Sequence, residues 1–134
     1  MKATDRGALG LAAVLAVAGV AHFVKPEGFD AIVPHRLPGS ERFWTNISGA
    51  AEIGVAIGVA VPRTRRRAAT LAALLFVAVF PANVQMAIDW RSRSTPEFAA
   101  SLLRLPLQIP LIWWAWRVRS RSGQAALAPV SGMS

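Results

Sequence analysis

The sequence has no cysteine. That absence excludes disulfides, iron–sulfur clusters, thiol–disulfide exchange and cysteine-ligated zinc together. Charge is also scarce: charged residues make up 16%, against about 25% in ordinary soluble domains. A chain of 134 residues is one domain by length. A domain this small has proportionally much surface, and this one has too little charge to coat it. Acids are the rarest of the charged residues, 7 against 15 Lys+Arg, for a net charge of +8. The pI near 11.8 does not imply nucleic acid, because the basic residues flank apolar runs and do not gather on one face. Arginine outnumbers lysine 13 to 2, which carries no mechanistic information. Nucleophile-elbow, phosphate-loop and dinucleotide fingerprints are all missing, so no motif supports independent catalysis. Two histidines without cysteine make no metal site: His22 and His35 lie on either side of Pro26.

What is present is apolar. Hydrophobic residues reach 54% and mean hydropathy is +0.41. Four segments stand out: Gly7 to Val24, Trp44 to Val61, Ala68 to Ile88, and Phe98 to Trp116. Each is near the roughly 20 residues that a helix needs to cross about 30 Å of hydrocarbon. Alternation of period 2 is absent, so helices, not a barrel, satisfy the backbone. The second and fourth segments are too polar to stand alone in lipid. The expected fold is therefore all-α: a four-transmembrane-helix bundle over residues 1–121, followed by a disordered cytoplasmic tail over 122–134. Small residues, with Gly54 and Gly58 as a pair and Ala12, Ala16 and Gly19 on the first segment, permit close packing. No convincing internal repeat is found.

Orientation follows from the basic residues. With a cytoplasmic N-terminus the inside holds Lys2, Arg6, Arg63, Arg65, Arg66, Arg67, Arg117, Arg119 and Arg121; the outside holds Lys25, Arg36, Arg42, Arg91, Arg93 and Arg104. The expected location is the bacterial inner membrane, multi-pass, with both termini cytoplasmic. Trp113, Trp114 and Trp116 then form an inner aromatic belt, and Trp44 and Trp90 an outer one. The start of the chain resembles a signal peptide, with Ala16-Val17-Ala18 as the cleavage site. The apolar run continues past that site and makes the better span. In the first outer loop, Pro26 and Glu27 suit a first helical turn. Phe29, Ile32 and Val33 give it one apolar face, which predicts a short amphipathic helix ended by Pro34.

Among polar residues within the spans, Glu52 comes first. An intramembrane charge costs at least about 2.5–3.5 kcal/mol, so it faces protein or water and often marks function. Burial raises a carboxyl pKa, so a protonated Glu52 can also donate. Thr45, Ser48 and Gly49 share its face. With His22, Asn46, Asn83, Gln85 and Gln108 it outlines a polar pocket in the outer half of the membrane, under the first loop. The plainer readings are an interhelical hydrogen bond for Glu52, an imidazole bonded to a carbonyl for His22, and for Asn83 a cap on the carbonyl that Pro81 frees. Helix direction brings Glu52 and Asn83 to overlapping depths, so the two are expected to pair. The candidates for ligand binding or proton relay are Glu52, Asn83, His22, Ser48 and Gln108. No catalytic or metal residue is assigned.

Several blocks occur together: Gly19-Val20-Ala21-His22-Phe23 with Pro26 and Phe29, Ile32-Val33-Pro34 with Leu37-Pro38, Ser48-Gly49-Ala50-Ala51-Glu52 with Gly54 and Gly58, and Phe80-Pro81-Ala82-Asn83-Val84-Gln85-Met86. In order and spacing they resemble the DoxX-like family of small bacterial integral membrane proteins, over about residues 7–118. The resemblance implies a four-helix membrane bundle that serves redox-linked membrane complexes. A thiol-based role does not carry over, since cysteine is lacking. The expected function is a non-catalytic subunit or assembly partner of a membrane complex, with a membrane or redox protein as partner and membrane lipid around it. The alternative is a component of an oxidoreductase system that binds a quinone or other lipid through Glu52. Homo-oligomerisation is a further option, and small-solute transport would require it, because the chain is too short for repeated halves. No nucleic-acid partner is expected. The topology makes a direct prediction: a reporter fused after Arg66 reads cytoplasmic and one inserted near Gly39 reads extracytoplasmic, whereas the reverse pattern overturns the orientation.

Overall fold

A computed structural model describes residues 2–128, which are helical with no strand among them. Helix α1 spans Ala3–Val24, α2 Pro26–Asp30, α3 Glu41–Ala60, α4 Arg65–Asp89 and α5 Thr95–Leu127, with a single 3-10 turn at Trp90–Ser92 between the last two. The helix starts follow local chemistry. Asp5 accepts a hydrogen bond from the Lys2 backbone N–H at 3.3 Å, which satisfies an orphan donor and places negative charge at the positive end of α1. Ser40 caps α3, its hydroxyl accepting from the Phe43 N–H at 3.2 Å. Gly39 precedes it with φ +87°, a left-handed conformation that glycine adopts without strain. Prolines open α2 and α5, where a missing N–H costs nothing.

Three helical stretches are long and apolar enough to cross a membrane: Asp5–Val24, Arg65–Ser92 and Thr95–Leu127. Helix α3 is not among them; it carries Thr45, Asn46, Ser48 and Glu52. Helix α1 packs on α3, α3 on α4, α4 on α5, and α5 back on α1. The core between them is built largely of small residues: Ala8, Ala69, Ala72 and Ala115 are wholly buried beside Leu11, Leu15 and Val59. Small side chains let backbones approach, which is how helices associate where water provides no driving force. Larger apolar residues point outward. Val17 and Ile109 are each 71% exposed, and Leu103, Ile57 and Leu74 are also exposed. An apolar surface this extensive suits hydrocarbon, not water.

Three sequence expectations change in detail. The amphipathic helix of the first loop stops at Asp30. Ile32 and Val33 instead lie in tight turns, their N–H groups bonded three residues back. Of the glycine pair on α3, only Gly58 packs: a Cβ there would meet Ala68 Cβ at 2.7 Å, whereas nothing lies near Gly54. The tail expected from residue 122 is helical through Leu127. Ser122 donates to the Val118 carbonyl at 2.7 Å, and Gly123 is buried against Arg66. Contact with α4 thus extends α5 beyond the point where its apolar pattern ends. The remainder of that expected tail, 129–134, lies outside the described residues. Prolines 81, 106 and 110 all sit inside continuous helices; in α5 they deprive the Leu102 and Pro106 carbonyls of their helical donors.

Arg65 joins three elements. Its Nε donates to the Val59 carbonyl at 2.8 Å, one Nη to the Ala60 carbonyl at 3.0 Å, and the other to Asp5 Oδ1 at 2.8 Å. It is buried, 6% exposed. It therefore ties off the last turn of α3 and holds the first turn of α1 to the start of α4. Sequence counting places it among the loop charges, but its charge is spent inside the protein. Arg65→Ala is expected to destabilise the chain in detergent by about 1–3 kcal/mol, from the carbonyls left without a donor. Asp5→Ala, at a partly exposed carboxylate, should cost less. Urea or thermal unfolding followed by circular dichroism decides; equal losses would remove the carbonyl clamp from the explanation.

Candidate functional site

The site forms where α1 crosses α3. Gly19 and Gly49 face each other there with no room for a side chain. A Cβ on Gly49 would lie 2.7 Å from His22 Cβ and 3.0 Å from the Gly19 carbonyl oxygen; one on Gly19 would lie 2.8 Å from the Gly49 oxygen. The 2.7 and 2.8 Å approaches are shorter than real Cβ atoms tolerate, so glycine is required at each position. The crossing brings His22, on the last turn of α1, to Glu52, one turn beyond Gly49 on α3. His22 Nδ1 lies 3.1 Å from Glu52 Oε2, with side chains 10% and 13% exposed.

The same nitrogen lies 2.7 Å from the Ala18 carbonyl oxygen. A carbonyl only accepts, so Nδ1 carries the hydrogen and donates it to Ala18. Glu52 Oε2 then sits beside a protonated nitrogen with no hydrogen bond of its own. It is a buried carboxyl oxygen within proton-transfer distance of an imidazole.

Phe29 covers the pair. Its ring stacks on the imidazole with centroids 3.7 Å apart and planes 21° from parallel. Phe29 is placed by α2, and α2 is latched to α3: Asp30 Oδ2 accepts from Arg42 Nε at 2.9 Å and lies 2.9 Å from an Arg42 Nη. The Arg42 guanidinium holds the Asp30 carboxyl below the usual carboxylate range. Gly39 and the bond from Trp44 Nε1 to the Pro38 carbonyl, 2.7 Å, fold the rest of the loop back onto α3.

Of the five sequence candidates, Glu52 and His22 meet. Asn83 is buried on α4, 3% exposed, but its expected bond to Glu52 is not among the hydrogen bonds formed; the group beside Glu52 is His22. Gln108 is buried on α5 with its Oε1 lacking a partner. Ser48 is half-buried on α3. Asn46 and Gln85 do not join the site: both are exposed, and Gln85 donates to Asp89 one turn on, at 2.9 Å. A single helical turn decides this, since residues two apart face different sides. From sequence, Arg104 entered only the count of outside basic residues. It bonds Met86 Sδ at 3.2 Å. No cluster of three metal-ligating side chains occurs among the described residues.

A family model described as a domain of unknown function, DUF8561, matches residues 11–119. The chain belongs to that family. No curated protein and no solved structure matches it. The DUF8561 match runs from α1 into α5 and takes in every residue of the His22–Glu52 site, its Phe29 cover and the Asp30–Arg42 latch.

The latch has a definite pH dependence. Because the folded carboxyl titrates below its unfolded value, near 3.9, the stabilisation is complete above that value. It is lost as pH falls through the lower, folded one. Gly28 on α2 has open space around it, and the chain has no native cysteine. A spin label at Gly28→Cys should therefore stay ordered from about pH 8 to 5 and gain mobility below about pH 4. In an Asp30→Asn background it should be mobile throughout. A label equally ordered in both backgrounds at neutral pH would show that the latch does not hold α2.

Proposed function

We propose that this DUF8561 protein is a DoxX-like, multi-pass protein of the bacterial inner membrane. It crosses the membrane four times as a four-helix bundle with both termini cytoplasmic. It acts as a small subunit without catalysis of its own, and its His22–Glu52 pair carries protons for a quinone or similar lipid at an outward-facing site of an oxidoreductase system. Support for a fourth crossing comes from α3 itself. Its 20 residues span about 30 Å at 1.5 Å each, and its polar face is turned to α1. The observation that carries the functional reading is the 3.1 Å approach of Nδ1 to Oε2. An imidazole and a carboxyl, buried together under an aromatic ring, suit general acid–base work on a bound ligand. Gln108, with its free Oε1, is a further polar group for such a ligand.

A second reading is favoured by the Gly19–Gly49 crossing. There the pair serves as an interhelical tie, and the protein works by assembling with a membrane partner. Glu52→Gln separates the two, since it keeps shape and the capacity to hydrogen-bond but cannot titrate. In membranes from cells carrying only the variant, quinone-linked oxidoreduction should fall by roughly 100-fold, as for a positioned proton carrier, while the purified variant keeps its helical content. Activity retained in Glu52→Gln and lost in Glu52→Leu would assign the pair to structure. Lipid extracts of the native protein that never contain a quinone would count equally against the ligand.

A further inference from the structure

Fifteen residues before His22 along α1, about 22 Å away at the helical rise, the other end of the molecule has a different chemistry. Two adjoining clefts of about 360 and 370 Å³ share Trp113, Arg117 and Arg121 of α5. The first is floored by Pro110, Val118 and the Trp114 ring and closed by Gly7 of α1. Trp114 is fixed there: its indole N–H donates to the Gly7 carbonyl at 3.0 Å. Gly10 leaves just enough space for that ring, since a Cβ would lie 3.0 Å from Trp114 Cζ2. One wall is thus rigid and apolar.

The rim is cationic. Arg117 lies over the Trp113 ring at 4.9 Å, and Arg121 follows one turn later on the same face. Like charges at that spacing repel, and no carboxylate among the described residues answers them. Asp5 is the acid nearest this end in sequence, and its Oδ1 is taken by Arg65. No ion pair of Arg117 or Arg121 occurs among the described residues. Guanidinium forks match the oxygens of a phosphate, and tryptophans beside them suit the level where lipid headgroups meet hydrocarbon.

We propose that this cleft binds the headgroup of an anionic phospholipid, with the phosphodiester between Arg117 and Arg121 and an acyl chain along Pro110 and Val118. The proposal shares with the functional reading only the membrane setting; the His22–Glu52 pair takes no part in it.

Native mass spectrometry of the full chain in detergent tests this with phosphatidylglycerol and phosphatidylcholine at equal concentration. Phosphatidylglycerol should be retained preferentially. In Arg117→Gln/Arg121→Gln its affinity should fall roughly 30-fold, about fivefold for each arginine. Arg63→Gln/Arg67→Gln removes the same charge from the α3–α4 loop and the first turn of α4 and should leave affinity within about threefold, being outside the cleft. Should the double variant lose its helical circular dichroism, the two single variants, each expected near fivefold, decide in its place. Inorganic phosphate at millimolar concentration should not displace the lipid. Equal retention of the two lipids, an equal loss in the loop variant, or full displacement by phosphate would each overturn the proposal. The last would assign the cleft to a free anion.

Discussion

The close approach of two backbones at Gly19 and Gly49 is the constraint on which the candidate site rests. Without side chains at these positions, α1 and α3 come near enough for His22 to reach Glu52. Any Cβ would push the helices apart by part of an ångström or more, and a 3.1 Å contact does not survive that. The Phe29 cover depends on the same crossing, because α2 follows α1 within two residues and is latched to the α3 it must cover. Packing, proton chemistry and the loop are thus consequences of one contact.

Three of the chain's seven acids tie separate elements together. Asp5 meets Arg65, Asp30 meets Arg42 and Glu52 meets His22. Each pair links two different elements, and each involves a partner that helix periodicity alone does not bring near. A chain with so little charge has few ways to specify how its helices register. In a core of alanines, where side-chain shape discriminates weakly, polar ties of this kind select one arrangement. Basic residues are in excess, and three of them, Arg117, Arg119 and Arg121, stand at the end of α5 beside the tryptophans. There the DUF8561 chain presents unanswered charge to its surroundings.

Helix existence and approximate limits were legible from apolar run length and, for α2, from Pro26 and Glu27 at its start, because capping and hydropathy are local properties. Limits failed where tertiary contact extends or cuts a helix, as at Gly123 against Arg66 and at Asp30 against Arg42. The site was half legible. Glu52 and His22 stood out as polar groups in apolar surroundings, and the low bulk at Gly49 was visible beside them. Their pairing was not, since depth along a helix says nothing about rotation around it. That is why Asn83 seemed the natural partner and His22 is the actual one.

By itself, then, the sequence determined the class of the protein: helical, apolar, cysteine-free, basic at its flanks, with a carboxyl placed inside an apolar run. These follow from composition and from periods of a few residues. The tertiary structure alone decided which of the polar groups meet, that Arg65 is a clamp and not a loop charge, that Gly54 is idle while Gly58 packs, and that Phe29 closes over an imidazole. Each of those depends on the azimuth and crossing of helices far apart in the chain, and a crossing set by contacts a fraction of an ångström wide leaves no periodic trace in the residues that make it.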